Sequence, residues 1–241
     1  MRYLNLILLA SLFLCIIVSN AQELTGSQLL DKAINHHDPS GAWASFNGKL
    51  DITMTMPDGK QRVSEIIMDL PKAYFKATSI SDGVELMQSI SKGVCEFSLN
   101  GSSEISEEDA KTHRLSCERA HMYKNYYTYL YGLPMKLKNR GTLIDPKTQT
   151  KTFNGKEYLV LKVTYNKEVG DDTWYFYFDP QTYAMEVYQF FHDESKNDGE
   201  YILLTGSVTV SGIKMPKNRA WYYNKDGKHL GTDVLTKAIS L

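Results

Sequence analysis

Cysteine is scarce in this chain of 241 residues: there are three, Cys15, Cys95 and Cys117. No paired C-x-x-C occurs, so a metal framework built on that motif is excluded. Neither sign of charge dominates. Lysine plus arginine is 27, aspartate plus glutamate is 28, and the formal net charge is −1. That balance excludes a basic nucleic-acid binder. Proline is down to seven residues, and no Pro-, Gly- or Ser-rich stretch divides the chain. Collagen-like and linker-joined architectures are thereby excluded. Beyond residue 18 no apolar run is long enough to cross a bilayer, which excludes a multi-span membrane protein. Nucleophile elbows of the form G-x-S-x-G, the H-E-x-x-H pair and phosphate loops are also missing.

One apolar run does occur, at the start. Arg2 supplies a positive charge, Leu4 to Val18 is apolar apart from Asn5 and Ser11, and Ser19-Asn20-Ala21 places small residues around a cleavage point. This is the pattern of an export signal over residues 1–21, cut after Ala21. The expected mature chain is one domain, 22–241, in the periplasm or secreted. Cleavage leaves Cys95 and Cys117. In an oxidising compartment these can pair, tying a strand to the following helix, or stay as two buried thiols.

Thr25-Gly26-Ser27-Gln28 reads as a capping box opening a helix over about 25–37, with Leu29, Leu30, Ala33 and Ile34 as its stripe. The period then changes to two. Leu50, Ile52, Met54 and Met56 alternate with polar residues, and Ile66, Met68 and Leu70 start a second face. Asp82-Gly83, Lys92-Gly93 and Asn100-Gly101 punctuate further short strands. Ser106 to Asp109 reads as another helix start, and Leu115, Met122, Tyr123, Tyr126, Tyr127 and Leu130 follow at helical spacing. Gly132 is placed to cap that helix and Pro134 to stop it. Alternation returns through Leu159, Leu161 and Val163, then Trp174, Phe176 and Phe178, and onward to 223. The expected fold is mainly β with α: a curled antiparallel sheet, an unclosed barrel of about nine to eleven strands, with an N-terminal and a mid-chain helix on its concave face.

Chemistry is hard to find in the sequence. Six histidines occur: His36, His37, His113, His121, His192 and His229. His36 and His37 diverge by about 100° on a helix, so they do not chelate one ion, and a helix-end role suits them better. His192-Asp193-Glu194 and Asp171-Asp172 carry the residue types of acid–base catalysis, but they sit at turns where charges are ordinarily solvated. No metal, no cofactor and no catalytic residue is therefore expected. The aromatic and methionine residues stand apart. Trp43, Phe46, Leu50, Met54, Met56, Met68, Phe75, Trp174, Phe176 and Trp221 fall on expected inner faces. Tyr126, Tyr127, Leu130, Leu133 and Met135 belong to a stretch with tyrosine on every side of a helix end. These residues build a core or line an apolar cavity; methionine suits surfaces that adapt to varied apolar ligands.

Trp43-Ala44-Ser45-Phe46-Asn47-Gly48-Lys49-Leu50 and Asp69-Leu70-Pro71-Lys72-Ala73-Tyr74-Phe75 give the chain a resemblance to the periplasmic lipoprotein carriers of the LolA/LolB type. Those carriers have an arginine where Leu70 stands here, and Arg62 lies on the preceding strand. More specifically, the chain resembles a family of uncharacterised exported proteins of Gram-negative bacteria. That likeness rests on Tyr129-Leu130-Tyr131-Gly132-Leu133-Pro134-Met135-Lys136-Leu137, Val169-Gly170-Asp171-Asp172-Thr173-Trp174, Gly199-Glu200-Tyr201-Ile202 and Leu230-Gly231-Thr232-Asp233. The resemblance implies an unclosed barrel with an apolar cavity for acyl chains. The expected function is a monomeric, non-enzymatic binding protein holding a lipid, an acyl chain (including that of a lipoprotein) or another apolar molecule. The alternative is an envelope interaction protein with a packed barrel and a protein partner. A hydrolase using His192, Asp171 or Asp172 comes third.

Overall fold

The computed structural model describes residues 23–241. The export signal read over residues 1–21 lies outside the described residues. Helix α1 (Gly26–His37) begins as the sequence predicts. Thr25 Oγ1 accepts from the Gln28 N–H at 3.3 Å, and Gln28 Oε1 accepts from the Thr25 N–H at 2.9 Å. Leu29, Leu30 and Ala33 form its buried stripe. At the other end the Asp38 carboxylate accepts from the Ala42 and Trp43 N–H groups. This holds a 3₁₀ turn, Ala42–Ser45, that tucks the Trp43 indole inside.

Five strands follow as a meander: β1 (Asn47–Thr55), β2 (Gln61–Asp69), β3 (Tyr74–Ser81), β4 (Val84–Ser91) and β5 (Val94–Leu99). The β3–β4 and β4–β5 hairpins turn on Asp82-Gly83 and Lys92-Gly93, in which both residues have positive φ. That is the two-residue turn whose twist matches the strands it joins. Helices α2 (Glu107–Thr112) and α3 (Cys117–Gly132) come next. Eight strands complete the chain: β6 (Thr142–Ile144), β7 (Gln149–Phe153), β8 (Lys156–Tyr165), β9 (Thr173–Phe178), β10 (Met185–Phe191), β11 (Glu200–Val210), β12 (Ile213–Tyr223) and β13 (His229–Ser240).

All thirteen strands belong to one antiparallel sheet, ordered β5-β4-β3-β2-β1-β13-β12-β11-β10-β9-β8-β6, with β7 also paired to β8. The halves join where β1 meets β13, Gly48 opposite Ser240. No pairing links β5 to β6 or β7 among the described residues, so the barrel stays unclosed. One face carries the helices and the main core. Leu50, Ile66, Met68, Phe75, Leu161, Phe176, Ile202, Ile213 and Leu235 from the strands meet Leu29 and Leu30 of α1 and Tyr127, Leu130 and Tyr131 of α3. Strict alternation sends Tyr158, Val160, Tyr175 and Tyr177 to the opposite face, where they form a smaller cluster.

Three expectations are corrected. The strand number is thirteen, not about nine to eleven. The short edge strands β6 and β7 bury no residue fully and are too short or too polar to show apolar alternation. The mid-chain helix is two: α2 ends at His113, Arg114 has φ 53°, and Ser116 starts α3 by accepting from the Arg119 N–H. Gly132 is not a left-handed cap. It is glycine because a Cβ there would run into the Trp43 indole. The helix ends instead as Leu133 turns extended ahead of Pro134.

Candidate functional site

Helix α3 lies over the inner face with rings rather than aliphatic side chains. Tyr127 stacks on Phe75 of β3, and Tyr126 stacks on Trp221 of β12. Tyr129 meets Trp174 of β9 edge-on, and its hydroxyl bonds that of Tyr165 at 2.5 Å. The seam therefore reaches strands of both halves of the sheet. Every ring in it brings an aromatic wall, and every tyrosine a hydroxyl that must find a partner or go without.

Beneath this seam the strands contribute charge. Period two along β2 sends Ser64, Ile66 and Met68 inward, and Arg62 shares their parity. The same rule turns Arg219 of β12 inward with Met215. Arg219 is 1% exposed. Its Nη1 donates to the Pro216 carbonyl at 3.1 Å and its Nη2 to the Leu130 carbonyl at 3.3 Å, while the guanidinium lies 4.0 Å from the Tyr131 ring centre. It thus satisfies a carbonyl in the last turn of α3, where the helix dipole favours a cation. Asp233 of β13 is buried and accepts from the Trp221 indole N–H at 3.1 Å. Burial pushes its carboxyl pKa up, while Arg219 and Arg62 pull the other way. For Arg62, burial works against the charge, yet Tyr127, Asp233, Tyr123 and Tyr126 outweigh it and hold the pKa high.

Asp233 stands opposite Arg219 in the β12–β13 register, and Met54 of β1 stands between it and Arg62, so the three charges occupy one row across the inner face. Two guanidiniums against one carboxylate leave the centre one charge positive. Its hydrogen bonding is also incomplete: Arg62 Nε and Arg219 Nε are buried without a well-formed partner, and the Tyr188 hydroxyl lies beside the Arg219 guanidinium. Unpaired buried donors are unfavourable by about 1–3 kcal/mol each, so an acceptor placed there would be held strongly. An anionic group is the chemistry that suits this centre.

The sequence-predicted lining residues divide in two. Trp43, Phe46, Leu50, Met68, Phe75, Tyr127, Leu130, Leu133, Met135 and Phe176 are buried in the main core. Met54, Met56, Trp174 and Trp221 are partly exposed, and Tyr126 is exposed by 36%. Tyr126, Trp221 and Met54 surround the Asp233 centre, since Gly231 beside it packs against the Met54 side chain and Tyr126 stacks on Trp221. Three surface clefts take none of the fifteen as lining. One of about 510 Å³ lies beside His36 and His37, one of about 460 Å³ lies on the outer face of β2–β4, and one of about 430 Å³ lies between α2 and α3. Sequence reasoning did not single out Arg219, Asp233 or Tyr188 as site residues. Their one signal was parity along the strand, which does not by itself mark a charge as inward.

The other candidates lie apart. His192 Nδ1 is 2.6 Å from Asp172 Oδ1, an exposed ion pair whose hydrogen bond raises the imidazole pKa. His37 does not serve the helix dipole as a cation. Its Nδ1 donates to the Lys214 carbonyl and its Nε2 accepts from the Met185 N–H, and burial lowers its pKa to about 4. Cys95 and Cys117 are joined as a disulfide with Cα atoms 5.6 Å apart. No helix among the described residues is long and apolar enough to cross a membrane.

A model of a family of unknown function (DUF6503) matches residues 7–238. The chain belongs to this family. Comparison with curated proteins gives no match. Among solved structures, this DUF6503 chain is similar to a DUF1329 family protein from Desulfovibrio piger, with TM-score 0.50 and 8% identity over 89% of this chain and 92% of that one. It is also similar to a domain from Vibrio parahaemolyticus provisionally named as outer membrane lipoprotein-sorting, with TM-score 0.49 and 10% identity over 88% and 92%. A LolA superfamily protein from Nitrosomonas europaea follows at TM-score 0.45 and 12% identity over 89% and 93%. At these identities the likeness concerns the fold alone. In this DUF6503 chain the motif ending at Asp233 delivers the buried carboxylate, and Gly231 is needed because a Cβ would meet Met54 and the Thr55 carbonyl.

Proposed function

We propose that this protein is an exported, non-catalytic binding protein for an amphipathic apolar ligand. The acyl part lies against the aromatic and methionine side of the inner face, and an acidic head meets Arg62, Arg219 and Tyr188. The reading rests on one observation above all: a buried centre with a formal excess of one positive charge and two guanidinium Nε atoms without a well-formed partner. Tyrosine-rich α3 is the part of the cover that must shift to admit the tail, because it closes that centre from above. Location in the periplasm or outside the cell rests on the amino-terminal residues.

Titration with a fluorescent fatty acid, alongside its neutral ester, tests this. Arg62→Gln is expected to weaken the acid by about tenfold or more, as loss of a charge-assisted hydrogen bond would, and to leave the ester nearly unchanged. If neither probe binds wild-type protein, the reading fails. A second reading has its own support, since ten of the fifteen expected lining residues are fully packed. An envelope interaction protein with a solid interior would bind a protein partner equally well when the inner face is filled by Met54→Trp, whereas a ligand carrier would lose the fatty acid.

A further inference from the structure

A disulfide needs two sulfurs, yet a third donor for soft metals stands beside this one. Cys95 of β5 is bonded to Cys117, the first residue of α3. One ligand atom from each of Cys95, Cys117 and His121 lies within 4.8 Å of the others. Cys117 and His121 are four residues apart on α3, the spacing that stacks side chains on one helical face. Both are exposed, and Cys95 is half-buried. The donors of one tetrahedral zinc ion stand about 3.5–3.8 Å apart, given bonds of about 2.3 Å to sulfur and 2.0–2.1 Å to nitrogen. Modest side-chain rotation brings the three donors to that spacing once the sulfurs separate.

We propose that Cys95, Cys117 and His121 form a redox-gated site for a thiophilic divalent ion of the zinc type. The site is shut while the disulfide stands. A dithiol opens it: the S–S bond takes two electrons and two protons, the dithiol leaves as its own disulfide, and two cysteine thiols remain. The ion then displaces both thiol protons, and the imidazole supplies a third ligand through a nitrogen lone pair. Water fills the fourth position. In either state α3 stays tethered to the edge strand β5, through sulfur–sulfur bonding or through the metal. This inference is independent of the ligand reading above.

The test is zinc titration of the folded protein against a chromophoric chelator, before and after reduction by a dithiol that is then removed without air. Reduced wild type is expected to take up roughly one zinc ion, with the oxidised form taking up none at that site. His121→Ala, which keeps the disulfide, is expected to weaken zinc in the reduced protein by at least the 10- to 100-fold seen when even an outer partner is lost. Cobalt in place of zinc is expected to give thiolate charge-transfer absorption. No zinc uptake by the reduced chain, equal uptake by the oxidised chain, or unchanged affinity in His121→Ala would each overturn the site. If reduction loosens the fold, zinc is expected to restore its circular dichroism, and absence of recovery counts against it too.

Discussion

His37 shows how one buried side chain sets a condition on the whole molecule. Its ring bridges two backbone groups, so Nδ1 must carry the proton and Nε2 must remain bare for the Met185 N–H. Protonation would put two donors face to face. The folded pKa of about 4 lies below the usual 6.5, so the unfolded chain binds more protons between those values. The contribution of His37 to stability is therefore full above about pH 6.5 and is lost as pH falls toward 4, by about 3 kcal/mol in total. Urea midpoints measured across that range check the slope, and His37→Gln is expected to flatten it. Gly132 is a steric counterpart. Alanine there would push into the Trp43 indole, and Gly132→Ala is expected to destabilise by about 1–3 kcal/mol in chemical denaturation. Arg62 and Arg219 share strand parity with buried neighbours, but Lys217 shares that of Arg219 and is exposed, so parity alone did not mark them as inward. What the sequence could not say is which inward side chain fills the core and which stays part-exposed: Met68 and Met54 share one pattern, but only Met68 is sealed.

Among elements, the legible ones were those whose local chemistry agrees with their place. Helix α1 has its capping box, its stripe and its stop, and Thr25→Ala is expected to weaken the protein by about 1 kcal/mol, read from the same denaturation curves. The first five strands have alternation, and the β3–β4 and β4–β5 hairpins have paired positive-φ turns. Strands β6 and β7 were unreadable because they sit on the edge and bury little, so no apolar period marks them. The break between α2 and α3 was equally silent: Arg114 takes a positive φ that its residue type does not announce. The disulfide joins the edge strand to α3 across 22 residues, and Cys117→Ser is expected to lower stability by about 3 kcal/mol relative to the oxidised chain. A denaturant midpoint that matches wild type would show that packing of α3 alone holds it down.

At the scale of the molecule, the sheet depends on a pairing between its most distant parts. β13 lies between β1 and β12 and contributes Leu235 to the core and Asp233 to the charged centre. Removing residues 229–241 is expected to abolish cooperative unfolding, because β1 and β12 would both become open edges over an exposed core. Near-ultraviolet circular dichroism of the shortened chain checks this, and a native-like spectrum would show that the halves stand alone. The seam also has a consequence for how the protein is made. On a ribosome β1 emerges about 180 residues ahead of β13, so the pairing that joins the two halves of the sheet is among the last that the chain can make.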